Sequence, residues 1–423
     1  GRRMDTGADS FLARRPEGTK FVQDLGMGGS LISPATSSAL VWSRGRLRRL
    51  PDGLLLGLPS NLVALARSGV LSPVGVGRAA LDLVLPGDPV ARDVDVAVGP
   101  LIRRRLGDEV HQRLVDPLLG GINAGNSDDL SLQAGMPQLA AAVQGHRSLV
   151  AAAWLGLRRQ RRSEGIGPVF SSVQGGLGRF ADHVARELAK RGVQVVLGFT
   201  AERLERRIRA GDTGVGWSVV TGVGARFAAD AVVLAVPPGP AAALLEPHAP
   251  TSAAKLGEIA TSSVAMVCLA YREADVRHPL DGSGFLVPRG GGRLMTACSW
   301  ASSKWPEVAP PRMVVLRVSA GRAGDGRALA LSDDVLVTRL HNEVAAVHGI
   351  TADPAGHHVT RWIDAFPQYA PGHADLVASI EQGLPAGLEV AGATYRGVGV
   401  PACIGSGRDA ARRAVASATT DLG

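Results

Sequence analysis

The spacing of apolar and polar positions changes along the chain. Residues 1–60 alternate short apolar runs with turn residues, and residues 42–47 fit a hairpin. Between about residues 60 and 165, apolar side chains recur at helical spacing, as in the stripes Leu62, Leu65, Ala66 and Ile102, Leu106, Val110. Proline is tolerated in the first helical turn, so Pro100 predicts a helix that begins near Gly99. The middle of the chain is therefore predicted to be an all-helical insertion.

Beyond residue 168 the pattern becomes that of an α/β protein. An amphipathic helix over residues 177–188 is followed by a strand-like run at 193–197. Residues 230–236 are almost continuously apolar and end at two prolines, which is typical of a buried parallel strand. Further predicted elements are strands at 264–270, 313–318 and 388–392 and a last helix from about Ile404. Since no long linker separates these parts, we expect interleaved domains.

Composition narrows the class of protein. The chain has 423 residues, of which 45% are hydrophobic, so it can bury a substantial core. Its formal net charge is +8, but 42 of the 46 basic residues are arginine and they are dispersed. Dispersed arginines are usually a solvated surface, so we do not expect nucleic-acid binding. The dense run Arg158, Arg159, Arg161 and Arg162 is interpreted in the same way, with contact to an anionic surface as the alternative.

Three cysteines, Cys268, Cys298 and Cys403, are far apart in the sequence. Their odd number and spacing argue against a disulfide framework and against a metal site, and favour a reducing compartment. No apolar run approaches the roughly 20 residues that a membrane-spanning helix needs. We therefore expect a cytoplasmic protein without a bound metal.

Two glycine-rich stretches are candidates for binding a cofactor. Residues 397–407 follow an apolar strand and open a helix, where free N–H groups attract phosphate or an electron-rich ring. A tight strand–helix turn explains the same glycines equally well, and spacing alone leaves both interpretations open. The run Gly176-Leu-Gly178 superficially fits a GxGxxG/A fingerprint, but no acidic residue follows at the required distance, so we interpret it as a helix-opening turn.

Motifs along the whole chain decide between these interpretations. The sequence resembles the coproporphyrinogen III / protoporphyrinogen IX oxidase family, and specifically its Gram-positive-type branch. Similar blocks keep the family's order: residues 7–12, 104–110, 117–125, 130–132, 136–138, 282–287, 304–306, 366–369 and the closing stretch 391–411. Residues 130–132 and 367–369 separate this family from generic amine oxidases.

The resemblance implies an α/β fold, in which a doubly wound FAD-binding domain is interleaved with a mixed-sheet substrate domain and a helical insertion. The predicted boundaries are 1–30, 170–240 and 375–423 for the FAD-binding domain, 31–60 and 241–374 for the substrate domain, and 61–169 for the helical domain. The family opens with a strand, a GxGxxG turn and a helix of about 30 residues. We expect this unit to precede Gly1, and we expect FAD binding to depend on it.

The matching positions also imply a binding site. FAD would be lined by Gly7, Ala8, Asp9, Ser10, Ala201, Trp362, Val398, Gly399 and Val400. An ordinary core position is the alternative for Trp362. Arg14 and Arg15 follow the flavin-lining segment and are candidates to bind the substrate propionates, because guanidinium groups hold carboxylates in a bidentate fork. Two surface arginines are the alternative.

The implied reaction is the oxidation of coproporphyrinogen III to coproporphyrin III in haem biosynthesis, with O₂ as acceptor and peroxide as product. The cofactor supplies the redox chemistry, so no catalytic side chain is assigned. Expected partners are the porphyrinogen, O₂ and, transiently, a membrane surface or the next enzyme of the haem pathway. The alternatives are protoporphyrinogen IX as substrate, a related flavin amine oxidase or desaturase, and a cofactor-free porphyrin-binding protein.

Overall fold

The computed structural model describes residues 4–85, 87–163, 167–208 and 215–420. It divides into two compact units, each assembled from three stretches of chain. The first unit comprises Gly1–Ser10, Ile32–Gly176 and Thr261–Pro371, and the second comprises Phe11–Leu31, Leu177–Ala260 and Gly372–Gly423. The finer division into three domains that the resemblance implies stays a prediction.

A seven-stranded sheet, called the central sheet below, is the framework of the first unit. Its strands lie in the order Gly356–Pro367, Thr261–Arg272, Met313–Ala320, Met295–Trp300, Gly284–Leu286, Ala39–Ser43 and Arg46–Arg49. The pair Gly284–Leu286 and Ala39–Ser43 is parallel, whereas the other neighbouring strands are antiparallel. The predicted mixed sheet is thus confirmed, as is the hairpin at 42–47. Its two-residue turn, Arg44-Gly45, has positive φ at both positions, as a type I′ turn requires.

The apolar residues of the central sheet pack against the helix Asp333–His348. Leu316 from the sheet and Leu336 from the helix are fully buried in the same cluster. The polar atom of the buried Trp300 is satisfied there, because its Nε1 donates to Nε2 of His348 at 2.9 Å. Burial lowers the pKa of His348 to about 4, so its imidazole is neutral and accepts this hydrogen bond at physiological pH. The core of the first unit therefore tolerates two large polar rings because they pair with each other.

Helices make up the middle of the first unit, as the periodicity predicts, and the helix expected near Gly99 spans Val98–Leu106. A buried ion pair joins this helix to the segment before it, with Nη2 of Arg105 lying 2.8 Å from Oδ1 of Asp82. The helices of this unit are Leu62–Ser68, Pro73–Ala80, Val98–Leu106, Asp108–Val110, Asp116–Asn123, Leu132–Gly135, Pro137–Val143, Leu149–Ser163, Ala301–Lys304 and Asp333–His348, with 3₁₀ turns at Leu81–Leu83 and Glu273–Asp275 and a π-helical turn at His111–Val115. Its remaining strands are Leu54–Leu55, Leu58–Pro59 and Phe170–Val173.

The second unit packs helices around a smaller set of strands. The apolar run at 230–236 forms the strand Val232–Leu234, which is parallel to Leu388–Val390. The predicted parallel strand is thus confirmed, but it is only partly buried, because Val233 is exposed. The other strands are Phe11–Leu12, Leu31–Ile32 (which ends at the boundary with the first unit), Ala201–Ile208, Val215–Thr221 and Arg226–Ala229. The helices are Pro16–Asp24, Leu177–Lys190, Pro238–Leu245, Pro250–Gly257, His373–Gln382 and Val400–Thr420, with a 3₁₀ turn at Gly28–Ser30.

Two predictions about this unit need correction. Residues 193–197 form no strand and their side chains are exposed. A strand is stabilised by its hydrogen-bond ladder, and no described strand pairs with this run. The last helix begins at Val400 rather than near Ile404, because Pro401 fits the first turn of a helix.

None of the helices in the described ranges combines the length and the apolar character needed to cross a bilayer.

A substitution in the buried cluster between the central sheet and the helix Asp333–His348 tests the packing of the first unit. We expect Leu316→Ala to lower the free energy of unfolding by about 2–5 kcal/mol, because it removes a buried side chain and leaves a cavity. Leu83→Ala, at a position that is 52% exposed, is the matched control and should change stability by under about 0.5 kcal/mol. Urea denaturation of both variants measures the difference. Equal values for the two variants would contradict the assigned core.

Candidate functional site

The segment that ends at Ser10 is held against the central sheet through the carboxylate of Asp9. Nζ of Lys304 donates to both carboxylate oxygens, at 2.9 Å and 3.1 Å. Nη1 of Arg317 lies 3.0 Å from Oδ2, and Nε1 of Trp305 donates to the same oxygen at 3.2 Å. Ser10 completes the set, since its Oγ donates to Oδ1 at 3.0 Å. One carboxylate therefore accepts hydrogen bonds from an ammonium, an indole and a hydroxyl, and it forms an ion pair with a guanidinium.

The electrostatics of Asp9 follow from these partners. Burial by itself raises the pKa of a carboxyl group, but the positive charges of Lys304 and Arg317 outweigh it and hold the pKa of Asp9 below its ordinary value of 3.8. Asp9 is therefore ionised at neutral pH. Arg317 also donates from Nη2 to the backbone oxygen of Gly7, so the same side chain fixes two points of the segment.

Trp362 approaches the same segment from the central sheet. Its Nε1 donates to the backbone oxygen of Thr6 at 3.0 Å, and its indole remains 38% exposed. A Cβ added at Gly7 would lie 3.0 Å from Cζ2 of Trp362, so a larger residue at this position would push the ring aside. The structure thus brings Trp362 together with Gly7, Asp9 and Ser10, and it leaves Ala8 exposed between them. An ordinary buried tryptophan is excluded for Trp362.

The other predicted flavin-lining residues belong to the second unit. Val398, Gly399 and Val400 lead into the 21-residue helix Val400–Thr420, and the N–H of Cys403 donates to the oxygen of Gly399 at 3.0 Å. Gly397 has φ +130°, and a Cβ there would lie 2.7 Å from the Cβ of Ala402, so the turn does require glycine. The first N–H groups of the helix lack intrahelical acceptors and present a partial positive charge. The interpretation as a tight turn is therefore confirmed at Gly397, and the interpretation as a cofactor site stays a prediction.

The remaining predicted site residues also lie in the second unit. Ala201 is the exposed first residue of the strand Ala201–Ile208. Arg15 precedes the helix Pro16–Asp24 in an extended conformation, and its backbone oxygen accepts a hydrogen bond from Gly18 at 3.2 Å. Its side chain is half-buried, whereas that of Arg14 is exposed.

Lys304, Trp305 and Arg317 are components of the site that the sequence interpretation missed. Lys304 and Trp305 belong to a family-like block, and Lys304 is one of only four lysines in the chain, which was an available signal. Arg317 had no comparable signal, because it is one of 42 arginines and stands inside an apolar strand. Its burial could be seen only in the fold.

Comparisons with known proteins are consistent with this geometry. Residues 1–415 match the family model of the flavin containing amine oxidoreductases. The chain belongs to this family. It is 37% identical over 407 residues to a coproporphyrinogen III oxidase of Mycobacterium leprae, covering 96% of this chain and 85% of that one. It is 32% identical over 418 residues to a coproporphyrinogen III oxidase of Bacillus subtilis, with the same coverage of 96% and 85%.

A solved structure supports the fold in the same way. The crystal structure of a protein from Exiguobacterium sp. 255-15 superposes with a TM-score of 0.81 at 29% identity, covering 99% of this chain and 89% of that one. The porphyrinogen oxidase resemblance, the α/β fold class and the flavin-dependent oxidoreductase class are thereby confirmed, and FAD is the cofactor of this family.

The residues present fit a flavin. In the first unit, the exposed indole of Trp362 and the small residues at positions 7 and 8 offer a flat apolar surface that backbone can approach closely. In the second unit, Gly399 leaves open space beside a helix N-terminus, which suits an electron-rich ring edge or a phosphate. These are surfaces of the kind that a flavin needs, and each belongs to residues that the resemblance had selected.

The paired state of Asp9 predicts how stability depends on pH. Because the pKa of Asp9 is lower in the folded protein than its ordinary value of 3.8, the ionised carboxylate stabilises the fold above that pH. This stabilisation is lost as the pH falls through the lowered value. We therefore expect wild type to be more stable than Asp9→Asn at pH 6, and the difference to shrink below about pH 4.

Urea denaturation of both proteins at a series of pH values measures this difference. Asp93→Asn, at an exposed position, is the control and should follow wild type throughout. A stability difference for Asp9→Asn that stays constant from pH 6 to pH 2 would contradict the assigned ion pairs.

Proposed function

We propose that this protein oxidises coproporphyrinogen III to coproporphyrin III in haem biosynthesis, with FAD as cofactor and O₂ as electron acceptor. The observation that carries the proposal is the 37% identity to a coproporphyrinogen III oxidase over 96% of the chain. The geometry is compatible with it, because the residues that the porphyrinogen oxidase resemblance selects are exposed or partly exposed and form surfaces that fit a flavin. When bound, FAD would supply the two-electron redox chemistry, in which a meso carbon of the substrate loses hydride and a pyrrole N–H loses a proton to solvent.

The predicted residues are assigned to two tasks. Gly7, Ala8, Asp9, Ser10 and Trp362 of the first unit, and Ala201, Val398, Gly399 and Val400 of the second, line the cofactor. The ion pairs of Asp9 and the hydrogen bond from Trp362 to Thr6 support this assignment, because they fix the backbone of the lining segment. Arg14 and Arg15 bind propionates of the substrate. The support for this assignment is that the side chain of Arg14 is exposed and that of Arg15 is partly exposed, so both can reach a ligand.

The proposal also includes the cellular location of the enzyme and its transient contacts. We place the enzyme in the cytoplasm, because all three of its cysteines are free thiols. Transient contact with a membrane is supported by the helix Leu149–Ser163, where Trp154 is 45% exposed and the guanidinium of Arg158 lies 4.5 Å from its ring centre. An exposed aromatic beside basic residues suits the interface of an anionic membrane. The next enzyme of the haem pathway is the alternative contact.

The choice of substrate is the first test of the proposed function. Coproporphyrinogen III carries four propionates and protoporphyrinogen IX carries two, so a pocket with cationic partners for all four leaves buried charges unpaired when vinyl groups replace two of them. We expect kcat/KM of the FAD-loaded protein to be at least about tenfold higher for coproporphyrinogen III. Porphyrin fluorescence and peroxide formation measure both reactions.

A preference for protoporphyrinogen IX would replace the proposed substrate with the runner-up. Peroxide formation with amines and no reaction with either porphyrinogen would instead indicate a related amine oxidase.

Arg15 gives a second test. We expect Arg15→Ala to raise KM for coproporphyrinogen III by about tenfold or more, because a charge-assisted hydrogen bond contributes roughly 1.5–3 kcal/mol. The flavin content should not change. Arg67→Ala removes an exposed arginine of the helix Leu62–Ser68 and is the matched control, with no expected effect on KM. Identical kinetics for Arg15→Ala and Arg67→Ala would assign Arg15 to the solvated surface.

A further inference from the structure

The groups around Asp9 do not balance in charge. Lys304 and Arg317 are both cations within 3.1 Å of the carboxylate, so the three groups together carry a charge of +1. We call Asp9, Lys304 and Arg317 the Asp9 cluster. One cation is enough to balance one carboxylate, so the cluster carries one positive charge more than Asp9 neutralises.

Burial increases the distance over which this excess positive charge acts. The side chain of Arg317 is 6% exposed, and those of Lys304 and Asp9 are each 16% exposed. Nε of Arg317 is buried and has no hydrogen-bond partner among the described residues. In such a low-dielectric environment a charge acts over a longer distance than it does in water. Asp5 and Glu307 line the same small cavity and have interaction partners of their own. Asp5 is partly exposed and Glu307 is exposed, so solvent also screens their charges.

The position of the cluster determines what this charge acts on. Asp9 lies in the segment proposed to line the flavin, and Arg317 also donates to the oxygen of Gly7 in that segment. A flavin gains negative charge when it accepts electrons, so a buried cation beside it favours the reduced form. The cluster therefore has both a mechanical and an electrostatic connection to the same short stretch of backbone.

We infer that Lys304 and Arg317 are positioning residues that hold the flavin-lining segment through Asp9 and, through the net positive charge of the Asp9 cluster, raise the electron affinity of the bound flavin. The inference rests on the proposed placement of the flavin along Gly7–Ser10. It concerns the cofactor and not the identity of the substrate.

Charge changes of opposite sign test the inference. Lys304→Met lowers the cluster charge from +1 to 0, whereas Asp9→Asn raises it to +2 and keeps an oxygen that accepts hydrogen bonds. We expect Lys304→Met to decrease the equilibrium constant for flavin reduction at least tenfold, which is about 30 mV for a two-electron couple. We expect Asp9→Asn to have a midpoint potential equal to or above that of wild type. The potential is measured against a reference dye in the absence of porphyrinogen.

Two further variants separate charge from structure. Lys304→Arg retains the charge and should restore the wild-type potential. Lys190→Met removes a lysine whose side chain is 71% exposed, so the same loss of charge is screened and the potential should not move. If Lys304→Met does not retain flavin, retention by both Lys304→Arg and Asp9→Asn supports the inference, and loss from all three variants overturns it.

The outcomes distinguish this inference from the proposed function. Equal potentials for wild type and Lys304→Met, or a lowered potential in both Lys304→Met and Asp9→Asn, overturn the inference. A protein that shows the expected charge dependence but does not oxidise coproporphyrinogen III contradicts the proposed function alone.

Discussion

The site of the first unit depends on how one buried carboxylate is satisfied. The segment that ends at Ser10 contains no regular secondary structure, so its conformation is fixed by contacts with the central sheet rather than by its own hydrogen bonds. The carboxylate of Asp9 makes those contacts, because it accepts hydrogen bonds from Lys304 and Trp305 and forms an ion pair with Arg317. An ionised carboxylate can be buried only when its charge and its lone pairs are satisfied, so these partners specify a single arrangement of the segment.

A second buried carboxylate connects the helical part of the same unit with the central sheet. Asp116, which is almost completely buried, accepts from Nε of Arg289 at 3.1 Å and from Oγ of Ser127 at 2.7 Å. Arg289 in turn donates to the backbone oxygens of Gly125 and Ala323. The loop after the helix Asp116–Asn123 is thereby tied to the loop after the strand Met313–Ala320. Apolar packing has no direction, whereas this network joins the two loops in one geometry.

The two networks use charge in different ways. Within the described part of the chain, Arg289 is the one cation in contact with Asp116, which also accepts hydrogen bonds from the hydroxyl and the backbone N–H of Ser127. At Asp9 two cations surround one carboxylate, beside residues that fit a flavin. Buried ion pairs contribute little net stability relative to apolar packing, because both partners must be desolvated. We therefore relate the second cation at Asp9 to the inferred effect of the cluster's positive charge on a bound flavin rather than to the stability of the fold.

The sequence by itself determined the elements whose evidence is local. The helix at 98–106 and the turn at Arg44-Gly45 each depend on neighbours along the chain, and each was confirmed. The strand at 232–234 was predicted from its own apolar run, although its partner lies at 388–390. The ordered family motifs likewise selected Gly7, Asp9 and Trp362, which the fold brings together. The strand expected at 193–197 failed because a strand depends on a partner that its own residues do not encode.

Tertiary structure alone decided which charges are buried and paired. Nothing in the spacing of 42 arginines distinguishes Arg317 or Arg289 from those on the surface. The separation of Asp9 from Lys304 by almost 300 positions likewise conceals their contact. Local patterns determine where the backbone forms helices and turns, because those hydrogen bonds join near neighbours in sequence, whereas a strand also needs a partner that can lie far away in the sequence. The electrostatics of the site arise from long-range contacts, which exist only after the chain has folded.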